Sequence, residues 1–175
     1  LETYDRVRRR KPETQMVIAN LLKDGPELTQ RIELLRERGN AMGGVLVLTD
    51  IDRVGNVELS ALRDEAAVLI HQGFPLGISV ELLEEMWQGR PIVSGRSSVA
   101  SAMLVHKKTG LLANTPTTQA NAINWLLDNP AEAERIGSAA HTAVADRYLI
   151  THHLAAELKL FRQVLRRNTK RGSSR

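Results

Sequence analysis

Short apolar runs recur along this chain with a helical pattern between each and the next. Met16 to Ala19, Val45 to Leu48, Val68-Leu69-Ile70 and Ile92-Val93 have the length of buried strands and are too short for buried helices. Between them Leu28, Ile32 and Leu35 recur at helical spacing, as do Val57, Leu59, Leu62 and Ala66, and then Leu82 and Met86. Strands that are apolar throughout need cover on both faces, and helices between them supply it. The expected fold is therefore α/β: a Rossmann-like doubly wound parallel sheet with helices on both faces.

Turn and cap residues mark the boundaries. Lys11-Pro12 ends a first helix, Asp24-Gly25-Pro26 is a turn, and the next helix is expected to stop near Gly39. Asp50 to Gly55 is a connection. Beyond Ile92-Val93, a short helical turn over Ala100 to Leu104 leads through the turn Lys107-Lys108-Thr109-Gly110 to the strand Leu111-Leu112. Thr117 or Thr118 is expected to cap a helix carrying Ile123, Leu126 and Leu127, and Asn129-Pro130 stops it. Pro130 then opens another helix, with Ile136, Ala140 and Val144 facing inward. A last helix after Thr151 carries Leu154, Leu158, Phe161 and Leu165. Residues 1–165 read as one domain, and residues 166–175 as a basic, disordered tail.

Composition narrows the function classes. The chain has 175 residues, 42% hydrophobic and 25% charged, which suits one soluble globular domain. Aromatic residues make up 3%, so a base-stacking surface for single-stranded nucleic acid is poorly supported. The absence of cysteine removes disulfides, thiolate metal sites and cysteine nucleophiles, and fits a cytoplasmic protein. No apolar run approaches the roughly 20 residues that span a bilayer, and no signal-peptide pattern opens the chain. The net charge of +4 is concentrated at the end, where Arg162, Arg166, Arg167, Lys170, Arg171 and Arg175 occur without an acid. That tail, like the run Arg8-Arg9-Arg10-Lys11, reads either as a solvated end or as an electrostatic contact for nucleic acid or an anionic surface.

The stretch Gln72 to Gly95 holds the candidate chemistry. A Gly-bracketed turn from Gly73 to Gly77 carries the chain from the carboxyl end of a strand into a helix, the place where open parallel sheets bind ligands. Ser79 is a candidate N-cap, Glu81 lies in the first turn, and Gly89 follows the last. Glu81 and Glu85 share a face and Glu84 is rotated from both. At least one carboxylate of the three can reach the end of the sheet, or all three are solvated helix acids. Further on, Gly95-Arg96-Ser97-Ser98 offers backbone N–H groups and a cation for a phosphate contact through Arg96 and Ser97. Neither a Walker loop nor a GxGxxG fingerprint is present, and Val99 two residues after Ser97 excludes a nucleophile elbow. The histidines lack the i, i+4 pairing of a helical zinc site, so no metal is expected. His71, at the end of its strand, reads as a structural histidine or as a residue of the crevice.

These residues resemble the carboxyl-terminal half of a GT-B glycosyltransferase, specifically glycosyltransferase family 4. Gly73-Phe74, Leu76, Glu84, Met86-Trp87, Gly89 and Pro91-Ile92-Val93 resemble the family's core motif. The likeness continues through Thr109-Gly110-Leu111-Leu112, Leu126-Leu127, Pro130 and Ile136-Gly137. Within the family, Met86-Trp87 and Leu149-Ile150-Thr151 look most like trehalose synthases of the glycosyltransferring type. The resemblance implies a retaining hexosyltransferase domain that binds a nucleotide sugar such as UDP-glucose or ADP-glucose as substrate, with no cofactor. It implies donor contacts from Gln72, Gly73, Phe74, Gly77, Ile78 and Glu84, with Glu84 on the ribose hydroxyls. Gln72 stands where the family has Glu, Pro75 replaces a Gly and removes a backbone donor, and the connection to Glu84 is longer than the family pattern. The family's phosphate-binding Arg and Lys have no match in residues 1–20. The resemblance also implies that the first strand and an acceptor-binding amino-terminal domain lie outside these residues. The departures motivate a second reading, a non-catalytic domain kept for assembly with a partner chain or as a homodimer.

Overall fold

The computed structural model describes residues 1–19, 26–48, 56–72 and 79–172. Helix α1 (Glu2–Arg8) precedes strand β1 (Met16–Ala19), and then α2 (Pro26–Met42), β2 (Val45–Leu48), α3 (Asn56–Glu65), β3 (Leu69–His71), α4 (Val80–Trp87) and β4 (Ile92–Ser94) alternate. The order continues with α5 (Ser98–Met103), β5 (Leu111–Leu112), α6 (Pro116–Asp128), α7 (Pro130–Arg147) and α8 (Ile150–Gly172). This is the expected α/β alternation followed by helices. The connection 50–55 and the turn 73–77 lie outside the described residues.

Every described strand pair is parallel, and the strands form two hydrogen-bonded groups, β1-β2 and β3-β4-β5. In the doubly wound order 3-2-1-4-5-6, strands 2 and 3 pair on one side of strand 1 and strands 4 to 6 on the other. A parallel pair and a parallel group of three are what that order has on the two sides of its first strand.

Period-two alternation splits the core between the two sheet faces. Ile92 and Leu112 pack on one face with Leu82, Met86, Leu104 and Ala140. Val93 and Leu111 pack on the other with Val7, Ile123, Leu126 and Ile136. Helix α7 thus contributes to both layers, through Ile136 and Ala140. Burial of side chains as complete as Leu82, Met86 and Ile92 stabilises the fold by about 1.5–3 kcal/mol each. β1 and β2 are less covered, with Val17 and Leu46 about half exposed.

Several boundaries differ from the sequence reading for local reasons. Helix α2 passes through Gly39 and stops at Met42, where Gly43 and Gly44 both take φ of +71°. Gly39 serves packing instead: a Cβ there would meet Val45 Cγ1 at 3.0 Å. Thr115, rather than Thr117 or Thr118, caps α6, because Pro116 fills the first helical position, where no N–H is required. Thr118 completes the capping box, its hydroxyl accepting from Thr115 N at 3.0 Å.

The basic run after α1 is partly engaged within the fold. Arg8 Nη1 donates to the Gly43 carbonyl at 2.7 Å and to that of Met42, and Lys11 pairs with Asp128 at 2.6 Å. Lys11 holds the Asp128 carboxyl below the usual carboxylate range, chiefly through their hydrogen bond. At the other end, α8 runs on to Gly172, across the start of the segment expected to be tail. Leu154, Leu158 and Phe161 are each at least half exposed on it, so the apolar face seen in the sequence is largely open among the described residues. No helix among the described residues is long and apolar enough to cross a membrane.

Candidate functional site

The candidate site lies at the carboxyl ends of β3, β4 and β5. β3 ends on His71, which is buried, with the exposed Gln72 after it. Ser79 caps α4 as expected: its Oγ accepts from Leu82 N at 3.2 Å and donates to Glu81 Oε2 at 3.0 Å. With Leu82 and Met86 buried, Glu81 and Glu84 are exposed, whereas Glu85 is turned in toward the end of β3.

Each acid has a different partner. The Glu85 side chain is 15% exposed, and its Oε2 lies 2.9 Å from Nδ1 of His71. An ionised carboxylate only accepts, so Nδ1 carries the proton in this bond. Glu84 faces α3, where Arg63 Nη1 donates to its Oε2 at 3.2 Å. One turn further along α4, Gln88 Nε2 donates to Ser60 Oγ at 2.8 Å, a second polar link between the same two helices. Glu81 is held below the usual carboxylate range, first by a backbone N–H at the helix start and then by the Ser79 hydroxyl. Burial opposes these bonds, and the charges of His71 and then Arg63 make still smaller contributions in the lowering direction.

β4 leads to the second half of the site. Ser94 is buried, and the Arg96 backbone N–H donates to Asn114 Oδ1 at 2.7 Å, joining the ends of β4 and β5. The Ser97 hydroxyl accepts from Ala100 N at 3.0 Å as the cap of α5, which orients the side chain. The Arg96 side chain is exposed. His106 Nδ1 accepts from Leu112 N at 3.0 Å, which fixes its tautomer with the proton on Nε2. Burial, then Arg96 and Lys107, hold its pKa below the ordinary value of 6.5.

The structure therefore puts Gln72 at the end of β3, Glu84 on the adjoining helix, and Arg96 and Ser97 after β4. Gly73, Phe74, Gly77 and Ile78 lie outside the described residues. Sequence reasoning missed Arg63 and Asn114, and it noted His71 and Glu85 separately without pairing them. The shared face of Glu81 and Glu85 was a usable signal for the last, since a residue on that face meets the strand end from which α4 departs. Arg63 offered none.

The family model described as glycosyl transferases group 1 matches residues 1–129. The trehalose synthase of Thermococcus litoralis is 24% identical over 161 residues, covering 91% of this chain and 39% of that protein. The chain thus spans about two fifths of the length of the curated relatives it matches. Among solved structures, Anabaena HepE in complex with UDP and glucose superposes with a TM-score of 0.73 at 17% identity, over 90% of this chain and 43% of that one. Sucrose-phosphate synthase from Thermosynechococcus elongatus gives a TM-score of 0.72 at 20% identity, over 94% of this chain and 42% of that one.

Proposed function

This chain belongs to the glycosyl transferases of group 1, and we propose that it is the half of such an enzyme that binds the nucleotide-sugar donor. The observation that supports the reading is the chain order: Gln72 follows β3, Arg96 follows the adjacent parallel strand β4, and Glu84 stands on the helix that joins the two, with the carboxyl ends of such strands being where open α/β sheets hold ligands. In this reading Glu84 accepts hydrogen bonds from the ribose hydroxyls, as an ionised carboxylate does well. Gln72, Gly73, Phe74, Gly77 and Ile78 are the proposed contacts to the donor sugar and diphosphate. Arg96 supplies positive charge near the diphosphate, and Ser97, which accepts from Ala100 N, still has a hydroxyl proton to donate.

UDP-glucose or ADP-glucose is the donor class, and UDP in the HepE complex supports the uridine form. Transfer of the hexose with retention to a sugar acceptor follows from positioning and from stabilising the leaving diphosphate. Similarity to trehalose synthase across most of this chain favours trehalose as the product.

Replacing Glu84 by Gln tests the assignment. The variant is expected to bind UDP about tenfold more weakly, the effect of losing a charge-assisted hydrogen bond. Unchanged affinity overturns the ribose role. A folded wild-type chain that binds no nucleoside diphosphate favours the assembly reading instead.

A further inference from the structure

We infer that Arg63 is a positioning residue for the donor site: it holds Glu84 by Oε2 and leaves Oε1 to receive the ribose hydroxyls of a nucleoside diphosphate. This rests on the reading of Glu84 given above. Arg63 stands on α3, outside the motif stretch, and reaches Glu84 across the interface between α3 and α4. Its side chain is 17% exposed while that of Glu84 is 54% exposed, so the cation is fixed and the carboxylate presents a solvent-facing edge.

The neighbours support the same assignment. Glu85 is drawn to His71 and sequestered, and Glu81 is turned back to Ser79 at its own helix start. Glu84 combines an exposed carboxylate with a partner anchored on another helix. Oε1 has no protein partner among the described residues. A guanidinium on one oxygen restricts the rotamers of the carboxylate, which lowers the entropy lost when a diol binds the other oxygen. The link between Ser60 and Gln88 fixes the two helices independently, so α3 and α4 do not depend on Arg63 alone for their alignment.

The test is ribose discrimination, measured as the ratio of affinities for UDP and 2′,3′-dideoxyuridine diphosphate, and likewise for ADP and its dideoxy counterpart. The full chain is compared with R63Q, R63K, E84Q, R63Q/E84Q and S60A. The wild type is expected to favour the ribose form by at least about tenfold. R63Q should reduce that preference to about threefold or less, with R63K restoring part of it and S60A leaving it intact. The double variant should discriminate no better or worse than E84Q alone. Equal weakening of both nucleotides in R63Q, or equal loss of preference in S60A, reduces Arg63 to a structural contact and overturns the inference. Tighter ribose binding in R63Q makes Arg63 a competitor for Glu84 and overturns it as well. A wild type that binds UDP or ADP without ribose preference removes the Glu84 assignment itself, a result distinct from a discriminating wild type matched by R63Q.

Discussion

Gly137 on α7 and Gly89 at the end of α4 meet backbone to backbone: a Cβ on Gly137 would lie 2.0 Å from the Gly89 carbonyl oxygen. Around that contact Trp87 and His141 stack with ring centroids 4.3 Å apart, and His141 Nδ1 hydrogen-bonds the Trp87 carbonyl. This contact seats the carboxyl end of α4 on α7, and so sets where the acids of α4 point. Gly89 has φ of +72°, which carries the chain from α4 toward β4.

Gly137→Ala is therefore expected to be severe. The clash is with main chain, which has no rotamer to yield, and the cost should reach about 2–4 kcal/mol. Denaturant unfolding checks this, and a loss under about 0.5 kcal/mol contradicts the packing described.

How far such features were legible in the sequence depended on their range. Pro130, Ser79 and Gly89 act within a few residues, so the boundaries they set were readable. Gly39 misled, because its partner Val45 lies in the next element and a packing glycine looks like a stop. Thr115 was passed over although Pro116 marked it, since a proline at the first helical turn implies a cap just before it. In the candidate site, Gln72, Glu84 and Arg96 could be placed from the order of strands and helices. Arg63 could not, because its contact with Glu84 joins two helices whose relative rotation is set by packing.

The pair of His71 and Glu85 gives a second prediction. Glu85→Ala leaves a buried imidazole N–H without its acceptor and should destabilise the fold by about 1–3 kcal/mol. Glu85→Gln keeps an acceptor oxygen and should cost less. Urea midpoints at neutral pH decide it, and equal stability of Glu85→Ala and wild type contradicts the pairing.

His106 supplies a pH dependence. Its folded pKa lies below the unfolded value of 6.5, so the unfolded chain takes the proton first. Its contribution is fully present above pH 6.5 and is lost as the pH falls through that value toward the folded pKa. The effect is small because the ring is largely exposed. His106→Asn keeps an acceptor for Leu112 N and removes the titration. Melting temperatures at about pH 7.5 and pH 5 should fall more for wild type than for this variant. Identical falls contradict the account.

The central claim, a working nucleotide-sugar site in this chain, is tested most directly by calorimetric titration with UDP-glucose, ADP-glucose and GDP-glucose. Saturable binding to UDP-glucose or ADP-glucose, weakened in Glu84→Gln, is the predicted result. A folded chain that gives no heat of binding with any of the three contradicts it.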